Sequence, residues 1–520
     1  MRSPRNDIYR LPDLITKLLP LFSGSENHIY LVGGAIRNSL LHMESSDIDL
    51  SVKGSSHNLI NNICRTLDAK HIELDKQRGI SRIILKKNSE RFQIDITRMD
   101  GNLERDTLKR DFSINAIVLN TKSICVDSKG AYFQIEDLYD PCNGTEDIES
   151  KTVKATHSEV FSEDPIRLLR AIRIASEFDF NIAANTKLSI KANANLLSTC
   201  SPERVRDEFL KILSHKHSAK QLRLLDQLEL LHEIAHELPY GKGVIQPKQH
   251  YWDVFNHQIE CVDWLEKILN FDTTDELFIY EYLPVFENMT EYFHNNYSDG
   301  HTRKTLCKVA CLLHDVAKPF TKTVDEGKIR FLGHHVDGSE ISKNILHKLH
   351  FSKKSIDLIA TQILHHLRPG QIAPKGEKPS KKAVYRYYRD VKTASIDTLY
   401  LNLADFLAAR GPMLTEHEWK EHCQKINQIL KQGFTEEVPT RVSKLLTGHD
   451  IMVGLGLNPG PEIGKLIEKV EEAQIDEKVK TKEEALELLK KIIKTGENFE
   501  KKCQNVIGDR RHNTAMCGNP

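Results

Sequence analysis

The chain has no C-x-x-C pair, no apolar run long enough to span a bilayer, no internal repeat and no excess of charge of either sign. Its ten cysteines are scattered without a regular framework, which argues against a disulfide scaffold and predicts reduced thiols and a cytoplasmic protein. Cys307 and Cys311, four apart on a helical pattern, read as small buried hydrophobes. The opening MRSPRNDIYRLPDLITKLLPLF is broken by Asp, Lys and prolines, unlike a secretory segment, and no later run reaches membrane length. Lys plus Arg equals Asp plus Glu at 73 each, so any affinity for nucleic acid must come from local basic surfaces. With 520 residues there is enough chain for two to four domains, each with its own core.

Two periodicities divide the chain. From Ile29 to about Leu119, short runs (IYLV, DIDLSV, SRIILKK, FQIDITRM, AIVLN) alternate apolar and polar residues, the period of half-buried strands. From Phe161 onward the period becomes helical, as in EDPIRLLRAIRIASEF and SPERVRDEFLKIL. Gly, Pro and Lys concentrate in YGKGVIQPKQHYW, Tyr240 to Trp252, which reads as a linker, and a second seam falls at Gly433 to Val442.

The stretch LVGGAIRNSLLHMESSDIDLSV carries the first chemistry. In DIDLSV, Ile48, Leu50 and Val52 take one strand face and Asp47, Asp49 and Ser51 the other, so two carboxylates lie side by side. Carboxylates so spaced suit two divalent cations that align a hydroxyl with a triphosphate. FQIDITRM offers a third, Asp95. Gly33 and Gly34 permit close backbone approach to phosphate oxygens, with Arg37 one turn beyond. Each piece has a plain alternative: solvated loop carboxylates for D-x-D, a turn for Gly-Gly. KRDFSINAI then brings Arg110, Asp111 and Asn115. In SEDPIRLLRAIR, Ser162 reads as a helix cap with Pro165 in the first turn, which puts Asp164 and Arg167 on one helix face. That pair is either a surface salt bridge or an acceptor and donor for a base edge.

The series LVGGAIRN, DIDL, KRDFSINA, DPCNG and EDPIRLLRAIRIASEFDFNI resembles the motifs of the class II tRNA nucleotidyltransferase and bacterial poly(A) polymerase family over residues 25 to 215. The resemblance implies an α+β protein: a DNA polymerase β-like nucleotidyltransferase head with a small mixed β-sheet, followed by a long all-α body. It implies addition of nucleotides from CTP or ATP to a tRNA 3′ hydroxyl without a template, and no membrane partner. Under it, Asp47 and Asp49 hold Mg²⁺ with Asp95 as third carboxylate; Gly33, Gly34 and Arg37 cradle the triphosphate; Arg110, Asp111 and Asn115 contact the ribose; Asp164 and Arg167 read the base. Asn38 and Lys109 depart from the family, which usually has Asp and Arg there.

LCKVACLLHDVAKPF places His314 and Asp315 in an apolar helix, where they are costly unless paired or metal-bound. With His257 upstream, His334 and His335, His365 and His366 downstream, and Asp405 in LADFLAARG, the order resembles the HD phosphohydrolase superfamily. That resemblance implies His257, His314, Asp315, His334 and Asp405 as ligands of one or two divalent metals of unspecified identity, activating water against a phosphate ester. The alternative is a set of packed or surface histidines in a chain that has 24. The expected domains are 1–148 (head), 149–240 (neck), 250–432 (HD), 440–502 (helical tail) and a frayed 503–520. KPSKKAVYRYYRDVK reads equally as an RNA-stacking surface or a helix with half-buried tyrosines, and GLGLNPGPEIG as a phosphate-binding or, preferred, a tight interhelix turn.

Only DGNLERDTL separates Met99 from Lys109, where family members that complete a whole CCA end carry a longer loop. The expectation is therefore CC addition, with A addition, poly(A) synthesis and full CCA addition as alternatives. Two other classes remain: an HD phosphohydrolase with a non-catalytic RNA-binding head, and a tRNA-binding scaffold, which leaves both carboxylate clusters unexplained.

Overall fold

The computed structural model describes residues 8–24, 28–45, 47–87, 90–271, 278–374, 377–434 and 443–495. The expected frayed tail, 503–520, lies outside them. The chain forms two compact units, one of residues 1–240 with 344–352, the other of 241–343 with 353–520.

The first unit is built on a seven-stranded sheet. In chain order its strands are β1 (His28–Val32), β2 (Asp47–Lys53), β3 (Lys70–Asp75), β4 (Ile80–Lys87), β5 (Glu90–Arg98), β6 (Val118–Asn120) and β7 (Leu138–Tyr139). Across the sheet they run β7-β6-β1-β2-β5-β4-β3. All neighbours are antiparallel except β2 and β5, so the sheet is mixed, as the resemblance implies. Alternation decides which face is dry: Ile48, Leu50 and Val52 of β2 and Ile94 and Ile96 of β5 are buried together. The opposite face carries Asp49 beside Asp95, paired in register. Ser51, next on that face, is also buried, because the short helix Leu103–Leu108 covers it and Asp106 accepts its hydroxyl at 2.9 Å.

Helix Arg167–Phe178 follows the head and packs on helix Pro202–Ser214. Leu168, Leu169, Ile172 and Ile174 form its apolar side. Arg173 sits between Glu177 at 2.6 Å and Glu208 at 2.8 Å.

In the second unit, helix Val254–Asn270 packs against Arg303–Leu313 and Ser395–Arg410. Arg303–Leu313 is buried from Thr305 to Leu313, and its one charged residue there, Lys308, is met by Glu266 at 2.8 Å. Cys307 and Cys311 are within it, and burial raises both thiols' pKa. Arg303 anchors this helix to Ser395–Arg410: its guanidinium meets the buried Asp397 at 2.6 Å and lies 4.5 and 4.3 Å from the ring centres of Tyr292 and Tyr297. Tyr292 donates to the same carboxylate at 2.8 Å.

Helix Lys381–Val391 is a packing element and not a stacking platform. Tyr385 and Tyr387 are buried, and the three tyrosine hydroxyls donate to Glu471, the Ser395 carbonyl and the Ile429 carbonyl. Arg386 makes two 2.6 Å bonds to Glu472 of helix Pro461–Ile475. The glycine-rich stretch between Gly448–Leu455 and that helix is an interhelix turn, with Gly456 at φ +67° closing the first and Pro461 opening the second.

Because Asp397 is fully buried, truncation leaves Arg303 without its charge partner. Asp397→Ala is expected to lower the stability of the helical unit by about 3 kcal/mol in urea unfolding, the scale of breaking a buried ion pair.

Candidate functional sites

The first site is a cavity of about 590 Å³ lined by Gly33, Gly34, Arg37, Asp47, Asp49, Arg110, Asp111, Asn115, Asp164 and Arg167, among others. The structure thus brings together every residue the head motifs single out except Asp95, which does not line it. Gly33 adopts φ +71° and ends β1, and a Cβ there would meet an Asp49 carboxylate oxygen at 2.9 Å. Both the conformation and the approach of Asp49 therefore need glycine. Burial raises the Asp49 pKa, against the pull of Arg110 and a hydrogen bond from the Gly34 amide. A half-buried carboxylate held against a glycine cradle, with the exposed Asp47 two residues away, suits a hard divalent cation.

Arg37 is buried and its hydrogen bonds go to neutral amides, with Glu177, Asp111, Arg170 and Arg173 acting on it electrostatically. It donates to Asn115 at 2.5 Å and to Asn38 at 2.9 and 3.2 Å, and lies 4.3 Å from the Phe178 ring centre. Burial lowers its pKa to about 10. A guanidinium buried among amides is a ready receptor for an anion. Asp111 is also buried. Burial alone would raise its pKa, but Arg170 at 2.8 Å and donation from Asn115 and the Phe112 amide hold it below the usual range.

The predicted shared helix face of Asp164 and Arg167 does not exist. The first helix is only Val160–Glu163, with Ser162 inside it, and the next begins at Arg167. Asp164 between them is extended, φ −149° and ψ 96°. Pro165 is the cause: it disfavours the helical conformation in the residue before it. Asp164 is instead held by Arg204 of the neighbouring helix at 2.8 Å, and Arg167 donates to the Lys109 carbonyl at 2.9 Å. Both still reach the cavity.

Sequence reasoning missed Arg170 and Arg173, which line the cavity one and two turns beyond Arg167. Their three-residue spacing in RLLRAIR was the available signal.

The second site lies wholly in the helical unit. His257 Nε2 lies 3.2 Å from His314 Nε2, 3.3 Å from Asp315 Oδ2 and 3.0 Å from Asp405 Oδ1. His314 Nε2 lies 3.2 and 3.5 Å from the same two oxygens. Donors so spaced are those about 2.0–2.2 Å from a common cation. The other Asp315 oxygen, Oδ1, faces His334 Nε2 at 3.5 Å and His366 Nε2 at 3.8 Å. His366 was quoted in the sequence pattern without being chosen over its neighbour His365; the structure buries His366 in the cluster. In His314, His334 and His366 the Nδ1 atom bonds the carbonyl three residues back, at 2.7, 2.6 and 2.7 Å, which leaves Nε2 facing inward. His334 Nε2 is buried without a hydrogen-bond partner, the mark of a lone pair meant for a metal.

Burial alone would discharge His314 and Asp315. The carboxylate nevertheless raises His314 well above the imidazole range, and His314 with Lys318 holds Asp315 well below the carboxylate range. A cation at this cluster must displace that proton, so its binding weakens as pH falls. Asp405 is the open side, its side chain 17% exposed against 9% or less for the other five.

Residues 29–154 match the family model of the poly A polymerase head domain, 179–240 that of a probable RNA and SrmB-binding site of polymerase A, and 254–410 that of the HD domain. The chain is 28% identical over 461 residues to the CC-adding tRNA nucleotidyltransferase of Thermus thermophilus, covering 87% of this chain and 91% of that protein. It is 28% identical over 462 residues to the A-adding tRNA nucleotidyltransferase of Deinococcus radiodurans, covering 88% and 93%. Among solved structures, a CCA-adding enzyme in complex with CTP aligns with a TM-score of 0.57 at 20% identity over 93% of this chain and 95% of that one. A Thermotoga maritima CCA-adding enzyme with tRNA aligns at 0.53 and 20%, over 92% and 95%. No helix among the described residues is long and apolar enough to cross a membrane.

The Gly33 contact gives a direct check. Gly33→Ala is expected to weaken nucleotide binding in equilibrium dialysis at least about tenfold, since the displaced Asp49 and strained backbone act together, while the far-ultraviolet circular dichroism stays unchanged.

Proposed function

The chain belongs to the class II tRNA nucleotidyltransferase and bacterial poly(A) polymerase family and carries an HD domain, and from that premise we propose that its head adds CC to tRNA 3′ ends and its HD cluster hydrolyses phosphate esters. In the head, Asp47 and Asp49 hold Mg²⁺, which when bound lowers the pKa of the attacking hydroxyl and neutralises triphosphate charge. Arg37 and the Gly33-Gly34 backbone hold the phosphates, and Arg110, Asp111 and Asn115 orient the ribose. The Asp111–Arg170 ion pair and the Arg37–Asn115 bond tie these groups into one network, so that nucleotide orientation is set before reaction. Asp164 and Arg167 face the base, each fixed by a partner outside its own turn.

The observation that carries the CC restriction is how the Met99–Lys109 connection is held. Asn102 caps its helix by accepting the Arg105 amide at 2.9 Å. Asp106 accepts from Ser51, two residues after Asp49, and from the Asp100 amide at 3.3 Å, while Lys109 pairs with Asp100. A segment fastened to the strand of the carboxylates has little freedom to reposition the base-facing residues after the second C. With tRNA ending at the discriminator base and both CTP and ATP supplied, most product ends are expected to read CC on sequencing, with Asp47→Ala giving none. A majority ending in CCA refutes the restriction, and extension only of tRNA already ending in CC assigns A addition instead.

In the HD domain, His257, His314, Asp315 and Asp405 form one donor set, and the second Asp315 oxygen with His334 and His366 another, which supports two divalent cations. These supply activated water and bind the phosphate when present. The chain's part is to keep three imidazoles oriented through Nδ1 and to leave Asp405 toward solvent. Elemental analysis after dialysis is expected to find two tightly held metals per chain, one in His366→Ala and none in His314→Ala. His314→Ala should also lose hydrolysis of phosphomonoesters or cyclic phosphodiesters while sparing nucleotide addition. Unchanged metal content in both variants would falsify the cluster.

A further inference from the structure

Asp95 is the one head carboxylate that the sequence pattern offers and the cavity does not use. It stands directly beside Asp49 in the parallel register of β2 and β5, and directly opposite Arg82 in the antiparallel register of β4 and β5. Arg82, Asp95 and Asp49 thus form one row across a single face of the sheet. Arg82 grips Asp95 at two points, Nε to Oδ1 at 2.8 Å and Nη2 to Oδ2 at 2.9 Å. Gln93 Nε2 donates to Oδ2 at 3.1 Å. Both carboxylate oxygens are therefore engaged in the plane of a guanidinium. Asp47 and Asp49 also act electrostatically on that guanidinium.

A carboxylate one strand from a cation site, within reach of it and held by a fixed positive charge, is a conditional ligand: arginine and metal compete for the same oxygens. We propose that Arg82 is a positioning residue that withholds Asp95 from the head's cation site, so that Asp95 joins Asp47 and Asp49 only when Arg82 releases it. This rests on the reading of Asp47 and Asp49 as cation ligands. A cross-strand ion pair serving the sheet alone predicts that loosening the two-point grip while keeping the charge, as in Arg82→Lys, leaves metal affinity unchanged, which separates the two accounts.

The test is a Mn²⁺ titration of the full chain without nucleotide, with free Mn²⁺ followed by electron paramagnetic resonance. The HD cluster contributes equally to every variant compared. Arg82→Met is expected to bind Mn²⁺ in the head about tenfold more tightly, the scale of removing one adjacent positive charge and freeing a ligand. In Arg82→Met/Asp95→Asn the gain should vanish. Arg82→Lys keeps the charge and loses the two-point grip, so tightening of at least about twofold there supports the proposal, and it carries the test alone if Arg82→Met fails to fold by circular dichroism. Unchanged affinity in the folded Arg82→Met variant overturns it, as does tightening in Arg82→Met with none in Arg82→Lys, which would reflect charge alone, or a gain that survives in the double variant, which does not pass through Asp95. Asp47→Ala checks the underlying reading separately: if it leaves head Mn²⁺ binding intact, the cation site is elsewhere.

Discussion

A charge taken out of water must be met by an opposite charge, a set of hydrogen bonds or a bound ion, and this constraint accounts for most of what is specific in the chain. In the helical unit it ties Arg303 to Asp397 and Lys308 to Glu266, fixing the helix that ends at His314 against its neighbours. In the head it ties Asp111 to Arg170 and Asp95 to Arg82. Where the protein's own groups leave the account unbalanced, around Arg37 and around His334 Nε2, the imbalance marks a place for a ligand.

The two sites solve the problem of holding carboxylates together in different ways. In the head, a strand's two-residue period sets Asp47 and Asp49 side by side, and the next strand supplies Asp95 in register. In the HD cluster the donors come from segments spread from His257 to Asp405, and one carboxylate, Asp315, faces both groups of imidazoles. A sheet fixes spacing through its backbone; a helical bundle fixes it by packing, hence the need for a backbone carbonyl behind each of three imidazoles.

This difference explains what the sequence made legible. The dry faces of β2 and β5 and the close approach at Gly33 follow from local alternation and glycine chemistry, each readable in its own stretch, whereas the mixed sheet and the gathering of residues as far apart as Gly33 and Arg167 were implied by the family resemblance. The choice between His365 and His366 is not, because adjacent residues on a helix end point about 100° apart and only tertiary packing says which faces the cluster. Arg82 is invisible for a similar reason: its importance lies in its register opposite Asp95, and register depends on the whole hairpin. Asp164 was misread where two local rules conflict. Proline suits a helix's first turn, and it also drives the residue before it out of the helix. The second rule decides the geometry, because Asp164 is extended.

That extended residue has a further consequence. A side chain within a helix takes its direction from that helix's own axis, whereas Asp164 belongs to neither of the helices that flank it. Its carboxylate is aimed by Arg204, forty positions further along the chain in Pro202–Ser214. Its bearing in the cavity is thus inherited from a distant rod through one ion pair.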